Sequence, residues 1–157
     1  MRRTLVLCLS ALALLASTGA AEPAPAGEQP RAAAAQAKGS TLAVRSSRFG
    51  RILVDGRGHA LYLFTRDRRN QSSRCYGDCA TAWPPFLTTG KPRAGAGTTS
   101  RLLGTKRRRD GSMQVTYRGR PLYFYVDDRK PGQILCHDVV EFGGTWLVVA
   151  PSGRAIR

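Results

Sequence analysis

The sequence has few acidic residues, few histidines and no long apolar segment. Ten Asp and Glu stand against 25 Lys and Arg among 157 residues, and there are two histidines. So few histidines, with no Cys-x-x-Cys-His signature, argue against haem attachment and histidine-rich metal sites. No segment keeps a helical hydrophobic period, which argues against a helical bundle. The apolar run at 5–16 is shorter than the roughly 20 residues that span a bilayer, so no stable membrane span is predicted.

The first 40 residues are predicted to be an export signal and a linker. Arg2 and Arg3, the apolar run and the small residues at 17–21 follow the order of a secretory signal peptide covering 1–21. Cys8 lies inside the apolar run behind Leu7, where lipid attachment is not expected. Residues 22–40 are rich in Ala and Pro and form a predicted disordered linker. The protein is therefore expected outside the cytoplasm, without a lipid anchor, and with its folded domain at 41–157.

The chain is strongly cationic. Removing the signal peptide lowers the formal charge from +15 to +13. Because an exported protein does not meet nucleic acid in the cytoplasm, we expect an anionic component of the cell envelope as the partner. The densest cluster is Lys106 to Arg109, so Arg107, Arg108 and Arg109 are the predicted anion-binding residues. The alternative is that this cluster is only a solvated loop.

Short runs of branched and aromatic residues separated by glycines predict an all-β domain. The runs are 51–55, 60–65, 112–117, 121–126 and 145–150. Gly58 and Gly119 are expected at positive φ in two hairpin turns. Residues 77–83 could form one helical turn before Pro84 and Pro85 end it.

One segment occurs twice. ALYLFTRDRR begins at Ala60, and PLYFYVDDRK begins 61 positions later at Pro121. The shared pattern is Tyr-x-aromatic-x-x-Asp, at Tyr62, Phe64 and Asp67 and again at Tyr123, Tyr125 and Asp128. We therefore predict two related β-hairpin repeats, at about 49–90 and 110–153, in one small antiparallel sandwich or barrel-like domain.

The repeat residues have two interpretations. Both faces of each repeat strand are largely apolar, which favours strands buried between two layers over an aromatic face that binds a ligand. Asp67 and Asp128 follow the strand ends, where an Asp accepts turn N–H groups or binds a tyrosine hydroxyl. The less favoured alternative is that the two aspartates form a pair of catalytic carboxylates.

These motifs carry a family resemblance. Together with CYGDCATAWPP at 75–85, RDGSMQVTY at 109–117 and GGTW at 143–146, they resemble the bacterial secreted-repeat or predicted-lipoprotein family named for its YxFxxD motif. The resemblance covers about Phe49 to Gly153 and includes Trp83 and Trp146. It implies an exported protein and says little about function. This chain departs from the family pattern in lacking a usable lipobox and in having Cys136 and His137.

Three cysteines remain after processing. Because Cys-x-x-x-Cys is a landmark of the family, the resemblance favours a disulfide between Cys75 and Cys79. A bridge between Cys79 and Cys136, joining the repeats, is the alternative. Cys136 is then expected as a partly buried thiol in a monomer.

The sequence predicts a non-catalytic binding or structural module that uses no cofactor and contacts anionic envelope polymers. The alternative is an extracytoplasmic redox, metal or haem-binding module centred on Cys75, Cys79, Cys136 and His137. Cys-x-x-x-Cys lacks a thioredoxin-like context, and adjacent Cys136 and His137 would point to opposite faces of a strand. The sequence shows no other catalytic landmark, so no enzymatic activity is predicted.

The processing prediction can be checked directly. The mature protein should begin near Glu22, because the small residues before it suit signal-peptide cleavage, and it should carry no lipid. N-terminal mass spectrometry of the exported protein measures both. An intact Met1 or an acylated Cys8 would contradict it.

Overall fold

The computed structural model describes residues 40–157. The predicted signal peptide and nearly all of the predicted linker lie outside this range. The described chain is mostly strands with one short α-helix. Its elements are β1 (Thr41–Ser47), β2 (Gly50–Asp55), β3 (Tyr62–Phe64), α1 (Asp78–Ala82), β4 (Arg93–Ala94), a 3-10 helix (Ser100–Leu102), β5 (Leu103–Arg107), β6 (Met113–Tyr117), β7 (Arg120–Pro121), β8 (Val139–Glu141) and β9 (Gly144–Val148).

The strands form three small sheets. Their strand orders are β2-β1-β4, β3-β9-β8 and β5-β6-β7. All pairs are antiparallel except β1 with β4. The predicted all-β class with two related repeats is confirmed, as is the helical turn, which α1 forms. No helix within residues 40–157 is long and apolar enough to cross a membrane.

Two strand predictions need correction. Each repeat begins one strand earlier than expected, since β1 precedes β2 and β5 precedes β6 in equivalent hairpins. The predicted strand at 121–126 is mostly irregular, with Tyr123 making isolated bridges to Tyr62 and to Pro85. Proline cannot donate a hydrogen bond to a ladder, so the chain beside Pro84 and Pro85 cannot extend the sheet continuously.

The hairpin turns use glycine as predicted. Gly58 has φ 90° and Gly119 has φ 75°. In the second hairpin Arg118 also has a positive φ, 51°, as a two-residue type I′ turn requires. The first hairpin is closed by a hydrogen bond from Asp55 N to His59 O, 2.9 Å, and so has a longer loop.

The two repeats are joined by reciprocal backbone hydrogen bonds. Tyr62 N donates to Tyr123 O at 2.9 Å, and Tyr123 N donates to Tyr62 O at 3.0 Å. The turn glycines repeat this exchange, since Gly119 O accepts from Asn70 N at 2.7 Å and Gly58 O accepts from Gly132 N at 2.8 Å. Each repeat therefore binds the turn of the other.

The core lies on both faces of the repeat strands. Tyr62 and Phe64 belong to a cluster rich in aromatic rings, whereas Leu61 and Leu63 belong to a second, largely aliphatic cluster. This confirms that the repeat strands are buried between two layers. The burial of both faces explains why the alternation of polar and apolar residues is so weak in these strands.

A column of stacked aromatic rings fills the first cluster. Phe64 stacks on Trp146 and Trp146 stacks on Trp83, both with ring centroids 4.2 Å apart, and Trp83 packs on Tyr125 at 4.8 Å. The edges of Tyr62 and Tyr123 meet Trp83 and Trp146, respectively. Since the rings alternate between repeats, neither repeat can bury its aromatic residues alone.

This packing predicts a large and symmetric cost of truncation. Replacing Tyr62 or Tyr123 with Ala should lower the free energy of unfolding by about 3–5 kcal/mol, because each change leaves a cavity in the shared core. Urea unfolding measures the loss. Val140→Ala is the control, since Val140 is 76% exposed and should change stability by less than about 0.5 kcal/mol. Tyrosine truncations that leave stability unchanged would contradict this role.

Candidate functional site

The repeat tyrosines and aspartates bind one another across the repeats. Tyr62 donates its hydroxyl to Asp128 Oδ2, and Tyr123 donates its hydroxyl to Asp67 Oδ2, each at 2.5 Å. Each carboxyl group is therefore paired with the tyrosine of the opposite repeat rather than with the other aspartate.

The second oxygen of each aspartate holds the turn that follows it. Asp67 Oδ1 accepts a hydrogen bond from Arg74 N at 2.7 Å, and Asp128 Oδ1 accepts one from Leu135 N at 2.9 Å. Both predicted aspartate roles, turn capping and tyrosine binding, are thus combined in one carboxyl group. Each carboxyl group thus connects the loop after its own repeat strand to the tyrosine of the opposite repeat.

Burial dominates the electrostatics of these four groups. It raises the pKa of Asp67 and of Asp128 above the ordinary range, against the lowering effect of the hydrogen bonds that they accept. Burial, followed by the neighbouring carboxylate, also raises the pKa of Tyr62 and Tyr123, which keeps both hydroxyls protonated as donors. These groups hold the core together and do not line a cleft.

The other aromatic repeat residues are also in the core. Phe64, Trp83 and Trp146 are buried, and Tyr125 is partly exposed at the end of the column. Trp83 Nε1 donates to Glu141 Oε2 at 2.9 Å, whereas the buried Trp146 Nε1 has no hydrogen-bond partner among the described residues. The structure therefore gives these rings a packing role and no open aromatic binding face.

The cysteines pair as the family resemblance implies. Cys75 and Cys79 form the disulfide, with Cα atoms 5.2 Å apart, and Cys136 is a buried thiol outside it. His137 Nδ1 accepts a hydrogen bond from Val148 N at 3.3 Å, and burial lowers the pKa of its imidazole. Across residues 40–157 no group of three or more His, Cys, Asp or Glu side chains is placed to hold a metal ion.

Arg108 is not the surface residue that the sequence indicated. It is 4% exposed, and its guanidinium donates to Gln114 Oε1 and to Cys75 O, both at 2.8 Å. Its guanidinium carbon also lies 4.4 Å from the ring centre of Tyr76. The β5–β6 turn folds back onto the disulfide loop and takes Arg108 inside, so this side chain cannot serve as an exposed anion contact.

The two neighbouring arginines remain at the surface. Arg107 is exposed, and Arg109 is exposed with its guanidinium carbon 4.0 Å from the ring centre of Tyr76. The predicted cluster of three anion contacts is thereby reduced to two accessible cations.

A different set of arginines meets in one cavity. We call it the arginine cavity; its volume is about 480 Å³. Its lining contains five guanidinium groups and no acidic side chain. The lining residues are Leu63, Thr65, Arg69, Arg118, Arg120, Leu147, Gly153, Arg154, Ala155 and Arg157. They come from the first repeat, from the β6–β7 hairpin and β9 of the second, and from the C-terminal segment.

Three of these arginines are held by backbone carbonyls. Arg69 Nε donates to Arg118 O at 3.1 Å, Arg118 Nη1 donates to Ser152 O at 3.0 Å, and Arg120 Nη1 donates to Asp67 O at 2.9 Å. Each side chain is thereby oriented before any ligand binds.

The other two arginines lie at the rim. Arg154 and Arg157 are exposed, and their side chains form no hydrogen bond or ion pair with the described residues. Gly153 has φ 77°, and a Cβ there would come within 2.8 Å of Arg118 Cβ. The glycine therefore allows the C-terminal turn to approach the hairpin and bring both arginines to the cavity.

Sequence patterns could not identify this cavity, because its arginines are scattered between positions 69 and 157 and form no run. A larger cavity, of about 660 Å³, lies beside residues 88–92 and 100–105. It carries only Lys91 and Arg101 as charged side chains. The smaller cavity has the denser charge and is the better candidate site.

The raised pKa of the core aspartates predicts an unusual pH dependence of stability. Because the folded-state pKa lies above the unfolded value, protonation favours the folded chain, and this contribution is lost as pH rises through the raised pKa. Lowering the pH from about 7 to about 4.5 should therefore stabilise the wild type relative to Asp67→Asn/Asp128→Asn.

Urea unfolding at a series of pH values measures this difference. The asparagine is close in shape, and the Tyr123 hydroxyl also lies 2.7 Å from Ser73 Oγ, which supplies an acceptor when Asp67 is replaced. If the aspartates had the same pKa in the folded and unfolded chains, the stability of the two proteins would change with pH in parallel. Parallel curves would therefore contradict the prediction.

Comparison with known proteins identifies the repeats. The model of a family described as a secreted repeat of unknown function matches residues 43–86 and 104–150, more than half of the chain. Comparisons with curated proteins and with solved structures gave no match. Each matched segment contains one of the paired hairpins with its tyrosine and aspartate, and Arg154 and Arg157 lie beyond the second. The chain therefore belongs to this family of secreted repeats and contains two copies of the repeat.

Proposed function

We propose that this protein is a non-catalytic binding module that acts outside the cytoplasm, without a lipid anchor, on anionic polymers of the cell envelope. The observation that supports it best is the arginine cavity, where five guanidinium groups meet without an acidic side chain among the lining residues. An anionic ligand would supply the missing negative charge.

The energetics of the two rim arginines favour a binding role over a structural one. Like charges brought together destabilise a folded chain, and only three of the five arginines offset this cost by binding backbone carbonyls. Arg154 and Arg157 in particular form no ion pair within the described part of the chain. Their position is best explained by a ligand that binds them, since sites for binding commonly sacrifice stability.

The net charge of the protein supports the same partner. The domain carries a large excess of positive charge, which attracts anionic polymers over long distances and increases their rate of association. Exposed arginine contacts are screened over about 8 Å at physiological salt. Binding should accordingly weaken steeply as the salt concentration rises.

The chemistry of the lining supports binding without catalysis. Among the lining residues Thr65 is the only hydroxyl, and its Oγ1 already accepts a hydrogen bond from Thr145 N at 2.8 Å. The lining offers no His, Cys, Asp or Glu to act as a general base. The carboxyl groups with a raised pKa, Asp67 and Asp128, are buried in the core.

The cavity can be tested with two variants of equal charge. Arg154→Ala/Arg157→Ala should weaken binding to poly(glycerol phosphate) or to polygalacturonate by about ten-fold, because it removes two contacts that do not support the fold. Arg107→Ala/Arg109→Ala removes the same charge at the β5–β6 turn and should have the smaller effect. Titration calorimetry at low and physiological salt measures both, with melting temperatures to check folding.

The comparison separates three outcomes. A larger loss in the cavity variant supports the proposal. Equal losses would show that only the net charge matters, and would contradict a site in the cavity. If neither polymer binds the wild type at low salt, the proposed function is wrong.

A further inference from the structure

We infer that the arginine cavity binds a phosphate ester of a sugar or polyol, which the partner carries as its anionic group. This inference rests on the proposed function and specifies the ligand. It follows from the directions, the hydrogen-bonding capacity and the surroundings of the five guanidinium groups.

The arrangement of the arginines suits a tetrahedral anion. They reach the cavity from three chain segments, represented by Arg69, by Arg118 and Arg120, and by Arg154 and Arg157. A carboxylate is planar and can be bound bidentately by one guanidinium. A phosphate ester offers oxygens in several directions and can accept from guanidinium groups on different sides. Convergence from three segments therefore favours phosphate.

The fixed arginines keep most of their donors for a ligand. A guanidinium group has five N–H donors, and each of the three fixed arginines uses one of them on a backbone carbonyl. Arg69 uses Nε, so both of its Nη groups remain. Arg118 and Arg120 use Nη1, so the Nε and Nη2 edge remains for a bidentate contact. Because these side chains are already oriented, binding costs less conformational entropy.

The size of the cavity calls for a carbon skeleton beside the phosphate. Leu63 and Leu147 are buried residues that line it, and Ala155 lies beside them. A volume of about 480 Å³ is in the range of small-molecule sites and exceeds what a bare phosphate ion fills. A sugar or glycerol unit can fill the remaining volume while its phosphate contacts the arginines.

The C-terminal segment places the two rim arginines firmly. Ala150 N donates to Arg154 O at 2.8 Å, and Ile156 N donates to Val148 O at 3.0 Å. These backbone bonds tie the segment to the end of β9. Arg154 and Arg157 are thus carried on a fixed backbone while their side chains remain available to close over a bound phosphate.

A variant that preserves charge provides the sharpest test. Arg154→Lys/Arg157→Lys keeps both positive charges and removes the planar guanidinium fork. Binding of poly(glycerol phosphate) should weaken roughly three-fold, less than in the alanine variant, because an ammonium group keeps the charge but cannot form the bidentate contact. Polygalacturonate, which offers carboxylates only, should bind the wild type more weakly and respond less to the substitution.

Competition identifies the group that is bound. At equal ionic strength, dimethyl phosphate, a monoanion like acetate, should displace labelled poly(glycerol phosphate) at lower concentration than acetate does. Vesicles containing phosphatidylglycerol provide the same ester on a lipid. If the protein binds the vesicles and the lysine substitutions weaken that binding, the phosphate belongs to a lipid headgroup. If only binding of the soluble polymer is weakened by the substitutions, the phosphate belongs to a polymer. Both results support the inference.

Other results would overturn it. If the lysine variant binds like the wild type, or if acetate competes as well as dimethyl phosphate, the site recognises charge alone. In that case the phosphate inference is wrong, while binding of anionic polymers through the arginine cavity stands. Failure of both polymers to bind the wild type would instead remove the proposed function and this inference together.

Discussion

The antiparallel pairing of Tyr62 with Tyr123 is the constraint on which the rest of the fold depends. Two reciprocal backbone hydrogen bonds align the repeat strands, and this alignment brings each tyrosine hydroxyl to the aspartate of the opposite repeat. Each aspartate in turn holds the loop that follows it. A single register between two residues therefore sets the positions of strands, loops and turns in both halves.

The same register buries both faces of the repeat strands and leaves the charged residues to the surface. The aromatic column fills one face of the repeat strands, and leucines fill the other, so the strands have no side left for a ligand. Recognition must then come from the loops and termini around the core. The arginine cavity lies at such a place, where a loop, a hairpin and the C-terminal segment meet over Leu63 and Leu147.

The sequence predicts the local features well and the contacts between distant segments poorly. Gly58 and Gly119 could be assigned to turns because few residues adopt a positive φ, and the helical turn before Pro84 follows from proline chemistry. The roles of Asp67 and Asp128 were also accessible from their positions after the strands. That each binds the tyrosine of the other repeat was not, because periodicity within one strand carries no information about its partner.

Charge was the least predictable property. Lys106 to Arg109 form a continuous run, yet the turn back to the disulfide loop buries Arg108 against Gln114 and Cys75 O. Arg69, Arg118 and Arg157 stand far apart in sequence and meet only after folding. Clustering along a chain measures local charge density, whereas a binding site depends on density in space.

The reciprocal nature of the contacts between the repeats has a consequence for assembly. A repeat from a second chain presents the same tyrosine, aspartate and turn glycine, so an exchanged dimer would satisfy the same hydrogen bonds as the monomer. The choice between them then depends on effective concentration. Residues 87–103 connect the two repeats within one chain. They hold each repeat at a high effective concentration beside the other, so pairing within one chain is favoured while the protein concentration lies below this effective concentration. An exchanged dimer would also have to open this connector, in which β4 pairs with β1.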